Sequence, residues 1–458
     1  MIELNKINKI HFIGIGGIGI SAAAGILKCR SFIVQGSDAQ ESEMVSNLRQ
    51  SGMLVYVPHN PDFIDSEIGL IVYSVAVPED NPERMRAAEL DIPQISYPQL
   101  LGLIMKGKYG VGVSGTDGKT TTTAMLSKIL IDAGLDPSVV LGSQAEFLEG
   151  NWRCSDSKYF VFESDEYRRA FDNYDPQIAV ITNIGVDHLD YYRDEADYLG
   201  AFKKYLNKLP ADGFAIINND DERSKEAAKD IQAEVITYGI KNSADYSVSH
   251  IEVVDGRQEF TIMDSGTAAA TFTLRLPGHY NVSNALAAVA TARQFGVEWD
   301  TIVKSLDSFK GVWRRFESLG KYGTAEVIAD YAHTPPALKQ VIAAVKEFYP
   351  EQKILFVFQP HQYARTKNLF SEFIEALSTA KNVIIPDIFY VEGRENPADF
   401  DVSSEKLAVA VAANGVDAIY GGDLKASEVK VRELSKNFDK IIVLGAGNVY
   451  ELSKKIAE

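Results

Sequence analysis

The run Gly115-Thr116-Asp117-Gly118-Lys119-Thr120-Thr121 constrains this 458-residue chain more than any other segment. It follows an apolar stretch, Tyr109–Val113, and leads into a helical stretch, Thr120–Ala133. Strand, glycine turn and helix in that order make a phosphate cradle. Backbone N–H groups converge on the anion and the helix N-terminus adds a favourable partial charge. Lys119 supplies a point charge for the β- and γ-phosphates, and Thr120 a hydroxyl for Mg2+. The loop is shorter than the usual G-x-x-x-x-G-K-[ST]. Asp117 also places an anion where phosphate repels it unless it points away, pairs with a cation or meets the metal.

A second glycine turn lies near the start. Gly14-Ile15-Gly16-Gly17-Ile18-Gly19 matches G-x-G-x-x-G, follows the apolar run Lys9–Ile15 and opens a helical stretch, Ile18–Cys29. Such a turn seats a diphosphate on the helix N-terminus, and Asp38 ends the next strand, about where a carboxylate meets a ribose hydroxyl. NAD, FAD and a UDP-sugar all satisfy this pattern.

Strand and helix signals alternate along most of the chain, which implies parallel sheets with crossover helices. Strands are expected at Ser31–Gly36, Gly69–Ser74, Tyr159–Glu163, Ile178–Thr182 and Phe214–Asn218. Residues 242–275 carry short strand-like runs punctuated by Gly256 and Gly266, and Asn281–Phe295 is helical and alanine-rich. From Gly311 onward, strand signals at Ala325–Ala329, Lys353–Phe358, Asn382–Pro386, Ala418–Tyr420 and Lys440–Leu444 form another doubly wound pattern. The expected fold class is α/β with three domains. A Rossmann-like domain covers 1–105, a P-loop ATPase-type domain with a parallel sheet and added small strands covers 106–311, and a second Rossmann-like domain covers 312–458.

Charge narrows the partners. Lys+Arg 46 against Asp+Glu 63 leaves a net charge of −17, which argues against nucleic acid or an anionic membrane. Cys29 and Cys154 are too few for a disulfide framework and too scattered for a zinc site, so a reducing compartment is expected. The longest uncharged stretch, Phe12–Leu27, is shorter than a membrane span and is broken by glycines. With no basic signal-peptide start, a soluble cytoplasmic protein is expected, without membrane insertion.

Acidic groups gather near the expected phosphate loop. Glu163-Ser164-Asp165-Glu166 ends one strand, and Asn183 with Asp187-His188-Leu189-Asp190 follows the next. Ligands of open α/β sheets bind at such strand ends. The expected metal ligands are Thr120, Glu163 and His188, a hard donor set that suits Mg2+. Asp165 and Glu166 fit a ligand role and a solvated surface equally well.

Taken together, these residues resemble the Mur ligases, the ATP-dependent enzymes of peptidoglycan precursor synthesis. The resemblance spans the chain in order: Gly115–Thr121, Glu163–Glu166, Thr182-Asn183, Asp187–Asp190, Gly278–Asn284, Arg314-Arg315-Phe316 and Asp330–Pro335. Gly14–Gly19, Ser74–Pro82, Gln359–Thr366 and Gly445–Asn448 are similar to the branch that uses UDP-N-acetylmuramate and L-alanine. The resemblance implies a UDP-binding first domain, an ATPase second domain and an amino-acid-side third domain. It implies phosphorylation of a carboxylate by ATP and attack on the acyl phosphate by an amine. Lys119, Glu163, His188 and Asn183 are then catalytic. Gly115, Thr116, Asp117, Gly118, Lys119, Thr120, Thr121, Asn281, Asn284, Arg315 and Asp330 are ATP-side residues. Gly14, Gly16, Gly17, Gly19, Asp38 and Ser74 are on the UDP side, and His333, His361 and Arg365 on the amino-acid side.

The chain departs from the family in places. Asp117 stands where alanine-adding members carry His, and Tyr280 where the motif has His. Thr334 replaces a repeated His. Phe202 occupies the place of a carbamylated lysine, so no carbamate is expected. Three alternatives stand beside the alanine-adding reaction. One is a recycling ligase that attaches an intact peptide. Another is a nucleotide-binding regulator that has lost catalysis. The third, a nicotinamide oxidoreductase, leaves Gly115–Thr121 and Glu163 without a role.

Overall fold

A computed structural model describes residues 2–185, 188, 191–391 and 395–457. They form two compact units: Met1–His250, Phe260–Thr273 and Val282–Phe309 make the first, and Ile251–Glu259, Leu274–Asn281 and Lys310–Glu458 the second. The fold is α/β with three sheets rich in parallel strands.

The N-terminal sheet of the first unit runs, in spatial order, Leu54–Tyr56, Ile33–Ser37, Lys9–Ile13, Leu70–Tyr73, Gln94–Ser96. All its pairs are parallel. Both faces of the central strands are covered, so Ile10, Phe12, Leu70 and Val72 are fully buried, together with the polar His11 and Ser37. Helix Ile18–Cys29 begins at the glycine turn. Its small residues bring it close to the hairpin strand Gly150–Arg153. A Cβ on Gly25 would lie 2.2 Å from Cε2 of Trp152, and Asn151 Nδ2 donates to Ile18 O at 2.6 Å and Ser21 Oγ at 2.9 Å. The helix end and the hairpin end are also bonded: Cys29 and Cys154 form a disulfide. Two cysteines are too few for a disulfide framework, and the sequence alone does not foresee this single pairing. A separation of 125 residues hides that packing brings the two sulfurs together.

The central sheet runs Thr267–Leu274, Arg257–Asp264, Tyr246–Val254, Glu234–Gly239, Phe214–Asn218, Ile178–Ile181, Tyr109–Ser114, Tyr159–Glu163, Ser138–Ala145, Gly150–Arg153. Tyr109–Ser114 lies between Ile178–Ile181 and Tyr159–Glu163, parallel to both, with Ser114 opposite Ile181 and Val113 opposite Glu163. Three adjacent strands therefore end together. They release Gly115, Ser164 and Thr182 at one edge of the sheet. The segment 242–275 forms three strands of 9, 8 and 8 residues, longer than its composition suggests. Gly256 and Gly266 sit in the left-handed region at the two turns, φ 72° and 82°.

The second unit holds the order Glu317–Tyr322, Ala325–Asp330, Lys440–Leu444, Ile354–Phe358, Asn382–Pro386, Asp417–Gly422. Only the first pair is antiparallel, and it carries a bulge between Ser318 and Gly320. Lys440–Leu444 and Ile354–Phe358 are buried along their whole length. No helix among the described residues is long and apolar enough to cross a membrane.

The close contact at Gly25 gives a test of the first unit's packing. Gly25→Val should cost about 1–3 kcal/mol through overpacking against Trp152. Gly200→Ala, in helix Glu195–Leu206 with nothing near the new methyl, should add about 0.5–1 kcal/mol. Denaturant unfolding of both variants measures this, and a neutral Gly25→Val would reject the contact.

Candidate active site

The loop after Tyr109–Ser114 is shaped by two glycines in conformations that other residues resist. Gly115 has φ 133° and Gly118 φ 87°. A Cβ on Gly115 would lie 2.1 Å from Thr182 Oγ1, and one on Gly118 2.4 Å from Asn284 Oδ1. The neighbouring strand end ties the loop down. Asn183 O accepts from Thr116 N at 3.0 Å. Asn183 Oδ1 accepts from Asp117 N at 3.1 Å, and its Nδ2 donates to Asp117 O at 2.9 Å. Thr182 Oγ1 donates to the same carbonyl at 2.6 Å. Asn183 thus positions the loop with both ends of its amide. Asp117 projects its side chain to the surface. Thr116 Oγ1 bonds Gly185 O and Tyr198 OH at 3.2 and 3.1 Å. Helix Lys119–Asp132 follows, with Thr120 and Thr121 buried in its first turn.

Two carboxylates meet this loop, each with a different partner. Glu163 Oε2 accepts from Thr120 Oγ1 at 3.0 Å and Oε1 from Gly142 N at 2.5 Å. Glu166 is fully buried, and both its oxygens lie 3.0 Å from Lys119 Nζ. Lys119 also donates to Gly115 O and, at 3.3 Å, to Thr116 O. His188 faces Glu166, with Nε2 3.5 Å from Oε1, and Tyr198 OH donates to that oxygen at 3.4 Å. Asp165, Glu166 and His188 offer ligand atoms within 4.8 Å of one another. His188 therefore stands with the end of the acidic run, and Glu163 with Thr120. Asp187 and Asp190 lie outside the described residues.

Electrostatics fixes the charge states. Burial alone would raise Glu166, but the Lys119 charge, His188 and hydrogen bonds hold it below the usual carboxylate range. Burial would lower Lys119, but Glu166, Asp165 and Glu163 push it up to about 12. The pair is ionised at neutral pH.

The N-terminal turn is built from the same elements. Gly14 has φ 77°, and its N–H and that of Ile15 donate to Ser37 O at 2.9 and 3.0 Å. Asp38 Oδ2 accepts from Gly16 N at 2.8 Å, so this carboxylate braces the turn. A Cβ on Gly14 would be 3.1 Å from Ser74 Cβ, and one on Gly19 2.9 Å from Tyr97 OH. Gly17 caps the helix with φ −65°. Behind the turn Glu83, fully buried, accepts from Ser37 Oγ and Asn60 N and pairs with His11 at 3.0 Å. Burial opposes its charge, but His11 and His59 bring it down to about 2.

The second unit gathers the remaining residues. Asp330 Oδ2 accepts from Phe316 N at 2.9 Å and Oδ1 from Ala332 N at 2.8 Å. Arg315 lies over the Tyr331 ring at 4.9 Å. Arg314 is enclosed by Trp313, Tyr331 and Tyr450 and donates to Gly445 O and Gly447 O. His333 and His361 have ring centroids 6.2 Å apart, and Arg365 Nη1 lies 3.4 Å from His361 Nδ1. Gln359 joins two motifs, bonding Asn448 Oδ1 and Val449 N at 3.0 Å. Asn281 lies in this unit and donates to Pro277 O at 2.8 Å, while Asn284 lies in the first unit beside Gly118.

Comparison with known proteins accounts for this layout. Family profiles match residues 9–109 (Mur ligase family, catalytic domain), 113–292 (Mur ligase middle domain) and 314–447 (Mur ligase, glutamate ligase domain). The chain is 38% identical over 451 residues to the UDP-N-acetylmuramate–L-alanine ligase of Clostridium novyi, covering 98% of this chain and 97% of that one. It is 37% identical to the ligase of the same name from Caldanaerobacter subterraneus, covering 100% and 99%. The chain belongs to the Mur ligase family. Among solved structures, the UDP-N-acetylmuramate-alanine ligase of Thermotoga maritima superposes with a TM-score of 0.83 at 29% identity, covering 98% of each chain. This Mur ligase is therefore an ATP-dependent enzyme that forms a C–N bond.

Glu166 is the residue whose place sequence reasoning left undecided. Its run ends a strand in a 3-10 turn, where no periodicity says which carboxylate faces inward. Tyr192 and Tyr198, whose hydroxyls bond it, carry no sequence signal at all. The pairing has a measurable sign. The folded-state pKa of Glu166 is depressed, so its stabilisation is present at neutral pH and lost as pH falls through that value. Glu166→Gln should cost about 2–4 kcal/mol at neutral pH, and its gap from the parent should close in acid. Urea unfolding at stepped pH measures the gap. A gap independent of pH would show that Glu166 and Lys119 are not an ion pair.

Proposed function

We propose that this Mur ligase joins L-alanine to the lactyl carboxylate of UDP-N-acetylmuramate, with ATP as the phosphoryl donor. The observation that supports it most is Lys119, ionised and braced by Glu166 at the end of three parallel strands. Full-length likeness to enzymes named for this reaction supports it too. Residues 1–105 are assigned to the UDP-substrate, 106–311 to ATP and 312–458 to the amino acid, in the cytoplasm.

A carboxylate is a poor electrophile because its leaving group would be oxide. In the first step its oxygen attacks the γ-phosphorus of ATP. The bond from that phosphorus to the bridging oxygen breaks, and ADP leaves with the electron pair. The amine then attacks the acyl carbon, loses a proton, and the tetrahedral intermediate expels phosphate. Negative charge grows on phosphoryl oxygens in the first step, and a preorganised cation lowers the barrier there. Lys119 and the loop amides at Gly118–Thr121 fill that role. Asn183 and Thr182 fix the loop that carries them. His333, His361 and Arg365 are assigned to the amino-acid side, where the planar guanidinium of Arg365 matches a carboxylate bidentately.

Two of the expected donors, Thr120 and Glu163, also fit Mg2+, while His188 stands with Asp165 and Glu166. Thr120 Oγ1 and Glu163 Oε2 are 3.0 Å apart, about the separation of two cis ligands at ~2.1 Å from an octahedral ion. Thr120, Glu163 and His188 are assigned as its holders, with Asp165 and Glu166 close by. When bound, the ion neutralises phosphate charge and orients the γ-phosphoryl group.

Phosphate release with ATP, Mg2+ and UDP-N-acetylmuramate tests the reaction. It should require L-alanine; release only with an intact peptide would move the enzyme to the recycling reaction. Lys119→Ala should abolish turnover while UDP-substrate binding, followed by calorimetry, persists; equal loss of both would reject the domain assignment. His188→Ala should raise the Mg2+ concentration for half-maximal activity several-fold. An unchanged titration would remove His188 from the ligand set.

A further inference from the structure

We propose that Arg168 grips the carboxylate that the reaction activates, and that its strained backbone is kept for this purpose. The proposal rests on the substrate reading above. Arg168 (φ 49°, ψ 29°) and Arg169 (φ 56°, ψ 35°) are consecutive left-handed residues. Neither has the short polar side chain that tolerates this region, and such conformations persist where the surroundings enforce them. The enforcement is visible. Tyr167 N donates to Asp165 Oδ1 at 3.0 Å, Arg169 N to Glu166 O at 2.9 Å and Phe171 N to Asp165 O at 3.0 Å. Tyr192 OH donates to Glu166 O from below.

The two arginines then meet different surroundings. Arg169 Nη2 is bound to Asp197 Oδ1 at 2.6 Å and lies over the Tyr192 ring. Arg168 is exposed, its guanidinium 5.5 Å from the Tyr167 ring, and no carboxylate among the described residues pairs with it. Tyr167 packs on His188 at 4.7 Å, His188 faces Glu166, and Glu166 holds Lys119. Arg168 thus stands at the rim of the reaction site.

Charge explains why a cation is needed there. Glu163, Asp165 and Glu166 line this edge, and a substrate carboxylate entering among them is repelled. Lys119 is committed to Glu166 and to phosphate. A free guanidinium offsets the repulsion, and its planar fork matches a carboxylate in two parallel hydrogen bonds. Arg168 is in this sense a specificity residue for a substrate that carries a carboxylate.

The test compares binding of UDP-N-acetylmuramate with UDP-N-acetylglucosamine, which shares nucleotide and sugar but lacks the lactyl carboxylate. Calorimetry on the full chain should show the parent preferring the first. Arg168→Ala should weaken UDP-N-acetylmuramate about tenfold or more, as expected for loss of a charge-assisted contact, and leave UDP-N-acetylglucosamine unchanged. Arg168→Lys should recover part of the preference. Arg168→Gly, which relieves the left-handed strain, should unfold at a higher temperature than the parent yet bind like the alanine variant. An unchanged preference in Arg168→Ala, or a loss confined to ATP, would overturn the proposal. A parent that binds neither sugar nucleotide would instead overturn the substrate reading.

Discussion

Glu166 is buried at the centre of the first unit's reaction edge, and a buried carboxylate is tolerable only with a matching cation. Lys119 is that cation. The phosphate loop, the turn at 165–169 and the His188 position follow from this pair. Lys119 begins the helix after the loop, so holding its ammonium fixes how the loop meets the strand ends. Glu166 uses its carbonyl for Tyr192 and Arg169 and its carboxylate for Lys119. The sheet order makes the pairing possible, because Tyr109–Ser114 is flanked by the two strands that carry the other groups. A change of one place in that order would separate Lys119 from Glu166.

Elements with strong periodicity were legible from the amino-acid sequence. Ile18–Cys29, Tyr159–Glu163, Phe214–Asn218 and Lys440–Leu444 fall where apolar runs and glycines put them. Leu54–Tyr56 was not legible, since three residues carry no pattern, and Glu317–Tyr322 was hidden by its glycine and lysine. Among site residues, the loop and Glu163 follow from motif and strand end. Which carboxylate pairs with Lys119 does not, because the chain turns through left-handed residues between Glu166 and Ala170. Likewise nothing local predicts that Asn183 uses both ends of its amide on the loop, a long-range pairing made by sheet order.

The N-terminal glycine turn and the Gly115–Thr121 loop share one unit, and three kinds of contact hold helix Ile18–Cys29 in it. Gly25 admits Trp152, Asn151 caps backbone and side chain of helix Ile18–Cys29, and Cys29 is bonded to Cys154. Apolar packing and hydrogen bonds act on this helix alongside the disulfide. At the N-terminal sheet, Glu83 of helix Pro82–Glu89 reaches the strand residues His11 and Ser37 behind the turn, as Glu166 reaches Lys119 at the Gly115–Thr121 loop.

Both glycine turns thus use a buried carboxylate to hold groups beneath the loop, but they differ in the partners of that carboxylate. Glu83 meets imidazoles and hydroxyls, whereas Glu166 meets a lysine that keeps its proton up to about pH 12. The Glu83 network braces the strand end beneath its turn through Ser37 and Asn60. An ammonium also offers its positive charge to phosphate, and three left-handed residues, Arg168, Arg169 and His188, lie beside this second loop. Backbone of this kind persists where its surroundings enforce it, here through the hydrogen bonds of Asp165 and Glu166. In the turn Gly14–Gly19 only a glycine, Gly14, takes a positive φ, and its carboxylates bind backbone and side-chain donors instead of a lysine.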